Sequence, residues 1–299
     1  MKKLFKIFRK NSSWGNEIIL PNFEIKSNDN QQEGVIYQNL ENITGMLECA
    51  SAQSVGLQRK KNEDSLFKIC ATIFNEDEQL PFGIFVVADG MGGHQHGDLA
   101  STAAVEKFIE IVVNEIYGPE LKEQKLKSVL ETEQIAESAV QKANAYVRSQ
   151  APGGGTTLTA AIVYGNDMTI AHIGDSRAYL YHPDGSLELL TKDHSLVSKL
   201  VEMGQITEKQ AGLHPQRNIL LRALGNDIKP EVDVKSLKFP QETTLLICSD
   251  GLWGVIPEKE LAKILAENDY LPEAGKKLVA KANSLGGPDN ISVLLVRYP

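Results

Sequence analysis

Short, continuous apolar runs dominate the chain from Met46 onward. Strand patterns fall at about 46–54, 65–74, 82–88, 156–164, 168–173, 177–182, 186–190, 243–249 and 290–297, rich in β-branched and aromatic residues and bounded by turn residues. Gly165 to Asp167 and Pro183 to Gly185 are turn sequences that join neighbouring strands. The runs 84–88 and 245–248 carry no polar residue, so both of their faces are covered. Two long segments change period. Over 97–117, Val105, Phe108, Ile109, Val112 and Ile116 recur at helical spacing, and over 131–149 Ile135, Ala139, Val140, Ala143 and Val147 do the same. Shorter helices fit 194–203, 207–213, 257–267 and 271–284. Many strands with few helices between them predict an α+β fold of antiparallel sheets with helices outside, not a doubly wound parallel sheet.

Residues 1–45 read differently. The polar stretch from Lys26 to Glu33 buries too little apolar surface to offset its own ordering, so 1–45 is expected to be a partly disordered N-terminal extension and 46–299 one domain. Within residues 1–10, five basic side chains surround Leu4, Phe5, Ile7 and Phe8. That pattern has no signal-peptide core. It reads as a frayed basic terminus, with a weak contact to an anionic membrane surface as the alternative. No apolar stretch is long enough to span a bilayer.

Four aspartates stand where apolar runs begin or end. Asp89 follows 84–88 and precedes Gly90; Asp250 follows 245–249 and precedes Gly251; Asp289 precedes Asn290 and opens 291–296; Asp64 opens 66–69. Two close a strand and two open one, so they share a rim if the second pair of strands runs antiparallel to the first. Clustered carboxylates repel one another unless a cation lies among them, and all-oxygen ligands suit Mg²⁺ or Mn²⁺. The residues alone therefore predict a metal site on an antiparallel sheet. Arg59, just before Glu63 and Asp64, offers a guanidinium that can grip a phosphate with two hydrogen bonds. Gly90, Gly92 and Gly93 let backbone approach an ion. Asp175, between two strand patterns, fits a plain Gly-Asp hairpin turn unless that turn points at the other acids. The Gly153–Thr157 run lacks the lysine of a phosphate-binding P-loop and reads as a strand entry.

The net charge of −8 argues against nucleic acid as the main partner. Three cysteines, Cys49, Cys70 and Cys248, form no CxxC motif and read as reduced thiols of a cytoplasmic protein rather than a disulfide framework or zinc site.

Taken in order, the Arg59–Asp64 segment, Asp89-Gly90, Gly155-Thr-Thr157, Gly174-Asp-Ser-Arg-Ala178, Thr191-Lys-Asp-His-Ser195, Ser249-Asp-Gly251 and Gly287-Pro-Asp-Asn290 resemble the protein phosphatase 2C family of metal-dependent serine/threonine phosphatases, in its bacterial-type branch. The resemblance covers Met46 to Pro299. It implies two packed antiparallel sheets with helices on both outer faces. It also implies hydrolysis of phosphoserine and phosphothreonine in proteins by water activated between two Mn²⁺ or Mg²⁺ ions. By the same resemblance Asp89 bridges the two ions, Asp250 and Asp289 complete the first, and the Gly90 carbonyl with Glu63 and Asp64 serves the second. Asp175 with Asp250 matches a third, weaker site, and Arg59 holds the substrate phosphate. The expected partners are phosphoproteins, a serine/threonine kinase among them, met by a monomer. Met91 replaces the histidine that some members carry after Asp-Gly, which leaves the general acid open between His94, His96 and water. Ser54 stands where many relatives carry aspartate, which questions a support of the first strand. Two competing readings are a non-catalytic phosphoprotein binder on the same fold and a phosphatase for small phosphoesters.

Overall fold

The computed structural model describes residues 47–74, 79–91, 96–119 and 127–298, all within one compact unit, Ile43–Pro299. The expected N-terminal extension, its basic first ten residues and His94 lie outside the described residues. The first sheet has the order β1–β11–β10–β7–β8, formed by Glu48–Ser54 (β1), Ile291–Tyr298 (β11), Thr243–Cys248 (β10), Arg177–Tyr181 (β7) and Leu187–Leu189 (β8). The second has the order β2–β3–β5–β6–β9: Asp64–Phe74 (β2), Gln79–Met91 (β3), Leu158–Tyr164 (β5), Asp167–Ile173 (β6) and Asp233–Lys238 (β9). The two-residue β4, Gly155–Thr156, also pairs with β3. Every pairing is antiparallel.

Period-two alternation explains why the central strands are apolar throughout. Along β3, Ile84, Val86 and Ala88 face α1 (Gly97–Val112) and α2 (Val129–Gln150), while Phe85 and Val87 face the other sheet. In β10, Leu245 and Ile247 point between the sheets; Leu246 and Cys248 point at the outer helices α6 (Glu258–Ala266) and α7 (Leu271–Ser284). The product is the predicted α-β-β-α sandwich, with an inter-sheet core of Phe85, Val87, Ala161, Ile247, Leu294 and Val296.

The helices follow from local signals. In α2 a capping box starts the helix: Ser128 accepts from Glu131 N, and Glu131 accepts from Ser128 N. Its stripe of Ala136, Ala139, Val140, Ala143 and Val147 is buried. The expected continuous helix over 97–117 is interrupted after Val112 by a π-helical turn, Val113–Tyr117, and Gly118 and Pro119 are again helical. Two small helices, α3 (Leu196–Glu202) and α4 (Glu208–Gly212), are each capped by a hydroxyl, from Ser195 and Thr207.

Two elements depart from the sequence expectation. The edge strand β9 was not predicted because Asp233, Lys235 and Lys238 are exposed and only part of the strand is covered. A single helical turn, α5 (Asp250–Trp253), is too short for any period to register. The Gly174–Asp175 turn is also no hairpin. It carries the chain from β6 in the second sheet to β7 in the first, which places Asp175 at the seam between them.

Truncating the fully buried Phe85 tests the inter-sheet core. Phe85→Ala is expected to lower unfolding free energy by ~4 kcal/mol. Ile228→Ala, at a side chain 81% exposed, is expected to change it by less than ~0.5 kcal/mol. Urea titrations of the two variants beside the parent make the comparison.

Candidate metal centre

The antiparallel condition on the four aspartates is met in both sheets. Asp64 at the start of β2 lies directly opposite Asp89 near the end of β3. Asp250 follows β10 and Asp289 precedes β11, and these strands are neighbours. Each sheet thus delivers two acids to the seam, and Asp175 arrives on the crossover between them.

Hydrogen bonds fix these positions. Ser249 Oγ and Ser292 Oγ both donate to Asp64 Oδ2, at 2.8 and 2.7 Å, so two hydroxyls of the first sheet hold an acid of the second. The Asp89 backbone is gripped by Thr157: its N–H donates to Thr157 Oγ1 at 2.9 Å, and its carbonyl accepts from Thr157 N at 2.9 Å. Thr157 Oγ1 also meets Ser176 Oγ at 2.8 Å, which ties Asp89 to the Asp175 turn. The Trp253 indole N–H donates to Asp175 O at 3.0 Å, so the far end of α5 is anchored to that same turn. The Trp253 ring lies 3.7 Å from the Arg177 guanidinium, which Asp193 holds through two hydrogen bonds of 2.9 and 2.8 Å.

Glycines allow the close backbone approach. A Cβ at Gly90 would stand 2.2 Å from Gly97 O and 2.6 Å from Glu63 O, so the start of α1 and the Glu63 loop close directly on the turn after Asp89. A Cβ at Gly251 would stand 2.0 Å from Asn290 O. Asn290 in turn fastens the Arg59 loop: its Oδ1 accepts from Glu63 N at 2.8 Å, and its Nδ2 donates to Val55 O and Lys61 O at 2.8 and 2.9 Å.

The electrostatics are those of a site short of positive charge. Burial, followed by the charges of Asp64, Asp250, Asp175 and Asp289, drives the Asp89 carboxyl well above the usual range. Burial also pushes Asp64 up to about 7, against its two seryl hydrogen bonds. Asp250 rises to about 6, through burial and then Asp289, and Asp175 rises through burial and then Asp250. Asp89 and Asp250 lie close enough for each to act on the other's titration. Asp64 Oδ1 and Asp250 Oδ1 are buried acceptors without a hydrogen-bond partner. Unpartnered anionic oxygens among crowded carboxylates fit a hard divalent cation.

Among the described residues, no three acids converge as they stand on one chelation point. The reason is visible in the side chains: Asp64 is turned to its serines, and Asp289 Oδ2 accepts from Arg59 Nη2 at 2.6 Å. The Asp289 carboxylate also raises the Arg59 pKa. Glu63 is partly buried beside Gly97, and its loop carries Lys61, which pairs with Asp98 at 2.5 Å. His96 is the N-cap of α1 with φ 90° and caps nothing with its ring. Ser54 supplies the support that its position needs: its Oγ accepts from Gly56 N at 3.0 Å and Asn283 Nδ2 at 3.1 Å. Two cavities, of about 540 and 490 Å³, are lined by none of these acids.

Residues 60–274 match the family model described as Protein phosphatase 2C. The chain belongs to that family. It is 41% identical over 247 residues to the serine/threonine phosphatase stp of Listeria innocua, covering 81% of this chain and 92% of the relative. The fold matches the serine/threonine phosphatase of S. agalactiae with a TM-score of 0.71 at 30% identity, over 85% of this chain and 100% of the other. It also matches the PstP catalytic domain solved with two manganese ions, with a TM-score of 0.67 at 29% identity, over 85% and 99%.

Raised carboxyl pKa values carry a sign for stability. A group whose folded pKa lies above its unfolded value binds more protons when folded, so its contribution is lost as pH rises through the folded pKa. For Asp64 and Asp250 that loss runs from the ordinary carboxylate range up to about 7 and about 6. The EDTA-treated protein is therefore expected to lose thermal stability between pH 5 and 8. Mn²⁺ offsets the repulsion, so the gap in Tm between Mn²⁺-loaded and EDTA-treated protein is expected to widen across that interval. Paired melts at pH 5, 6, 7 and 8 measure it; a constant gap contradicts the account.

Proposed function

We propose that this chain is a phosphoserine/phosphothreonine protein phosphatase that works with two Mn²⁺ or Mg²⁺ ions, and that the acids at the seam are their ligands. The supporting observation is the pair of orphaned, buried carboxylate oxygens on Asp64 and Asp250 beside Asp89, which lies directly opposite Asp64 in the sheet. Asp89 is assigned as the bridging ligand, with Asp250 and Asp289 on one ion and Glu63, Asp64 and the Gly90 carbonyl on the other. Asp175 with Asp250 is assigned to a third, weaker site. When bound, such ions make water nucleophilic near neutral pH and counter the charge of the phosphate. Family membership, together with a relative solved with two manganese ions, supports the reading.

The chain's own groups do the rest. Arg59 stands at the edge of the carboxylate cluster with its side chain half exposed. It is assigned to hold and neutralise the phosphate oxygens. Ser249 and Ser292 hold Asp64, and Thr157 holds the Asp89 backbone, so these acids are oriented before substrate arrives. The half-exposed Arg59 at the edge of the acid cluster leaves the site open to a phosphorylated segment of a protein. Residues 46–299 form the catalytic domain on this reading, and 1–45 an extension. Phospho-signalling opposite a serine/threonine kinase, by a monomer, belongs to the same proposal; three free thiols support only its cytoplasmic setting.

Two measurements test the assignments. Hydrolysis of a phosphothreonine peptide is expected with Mn²⁺, absent with EDTA, and reduced roughly 10²-fold or more in Asp250→Asn with Mn²⁺ present. Absence of metal-dependent turnover in the parent protein would instead favour a phosphoprotein-binding role. Arg59→Ala is expected to lower kcat/KM by roughly 10²-fold, while the Mn²⁺ concentration needed for half-maximal activity changes little. A large rise in that concentration with KM unmoved would make Arg59 a support of Asp289 instead.

A further inference from the structure

Two of the three cysteines meet at the edge of the sandwich, away from the acids. Cys49 lies on β1, the outermost strand of the first sheet, opposite Val296. Cys70 lies on β2, the outermost strand of the second, opposite Gly83. Both pack against the inter-sheet core and both keep part of their surface exposed. Both side chains face the space between the sheets, and Lys68, two residues before Cys70 on β2, donates from its ammonium to Cys49 O at 3.3 Å across the same seam, so the two thiols act on each other's titration. We propose that Cys49 and Cys70 form a reversible oxidation site that reacts with a peroxide and closes to a disulfide joining the two sheets.

The environment assigns the order of events. The neighbouring Cys70 thiol, helped by Lys68 and opposed by burial, brings the Cys49 thiol down to about 7. The Cys49 thiol and burial push Cys70 up. Cys49 is therefore the nucleophile and Cys70 the resolving thiol. The Cys49 thiolate attacks a peroxide oxygen, the O–O bond breaks, and hydroxide leaves and takes up the Cys49 proton as water. Cys49 is then a sulfenic acid. The Cys70 sulfur attacks the Cys49 sulfur, the S–O bond breaks, and the hydroxyl departs with the Cys70 proton as a second water. Two thiols lose two electrons and one peroxide gains them. Cys248 is fully buried, with its pKa pushed up to about 12 by burial, and serves as an internal control.

The bond would close a loop from 49 to 70 that contains Arg59, Glu63 and Asp64. Closing it restricts the unfolded chain, so the oxidised protein is expected to melt roughly 5 °C higher than the reduced one. This inference stands apart from the phosphatase reading, and its test does not use activity.

The test treats the full chain, in EDTA, with equimolar hydrogen peroxide, alkylates the remaining thiols and maps the peptides by mass. The expected product is one intramolecular link between Cys49 and Cys70, two hydrogens lighter and reversed by dithiothreitol, with Cys248 alkylated only after denaturation. In Cys70→Ser, whose reduced melt reports that it is folded, dimedone is expected to trap sulfenic acid on Cys49 and the peroxide-induced rise in Tm to vanish. Two unmodified thiols, a bond between two chains, or a link to Cys248 would each overturn the proposal. The map of the parent protein decides this without any variant.

Discussion

Mutual repulsion among five aspartates is the constraint on which the rest of this structure turns. Asp64, Asp89, Asp175, Asp250 and Asp289 act on one another strongly enough that burial and neighbouring charge raise the pKa of four of them. Carboxylates left to themselves would splay into solvent. They stay because the backbone that carries them is committed elsewhere. β3 and β10 bury apolar side chains on both faces, and truncating any one of those side chains has a cost of a few kcal/mol. Packing energy of the sandwich therefore holds a cluster that is unfavourable without a cation.

The antiparallel sandwich is well suited to this. Residues distant in sequence reach one rim because neighbouring strands present opposite ends to it. A cross-strand pair brings Asp64 and Asp89 together within one sheet, and Ser249 and Ser292 reach from the other sheet to the same Asp64. The two hydroxyls do more than orient Asp64. They satisfy one oxygen of Asp64 and leave the other without a partner, which directs its unmet demand to one side. The Arg177–Trp253 stack acts similarly at a distance, since it joins the Asp175 crossover to the end of the short helix that begins at Asp250.

Much of this was legible in the sequence, for physical reasons. Continuous apolar runs reveal strands covered on both faces, and an aspartate at the end of such a run has no structural excuse there. The paired strands, the two long helices and the meeting of the four aspartates follow from those signals. Where coverage is partial the signal fades. β9 exposes Asp233, Lys235 and Lys238 and resembles a loop. The Asp175 turn resembles a hairpin because Gly-Asp is a good turn in either setting; only the strand order shows that it crosses between sheets. The supporting hydrogen bonds were illegible for a different reason. Ser292 is an ordinary strand residue in sequence, and its role exists only through Asp64, 228 positions away. Asn290 was visible as part of a motif, yet nothing local tells that its amide fastens the loop from Val55 to Glu63.

That loop completes the logic of the site. Asp64 and Asp89 occupy strand ends and Asp250 a helical turn, where backbone hydrogen bonds leave them little freedom, while Asp175 and Asp289 sit in the short turns beside them. Arg59 is placed otherwise. Its loop is tied at Leu57 N to Gly287 O and at Lys61 O and Glu63 N to the Asn290 amide, but half of its own side chain is exposed. Metal ligands need fixed separations, because the coordination distances of a hard cation vary little. A phosphate on a flexible protein segment arrives from many directions. A guanidinium at the end of a long side chain can meet it while its loop stays anchored. On the proposed assignments, rigid carboxylates beside an adaptable cation form a division of labour that the two requirements impose, and Asp289 stands at their boundary as a rim acid and the partner of Arg59.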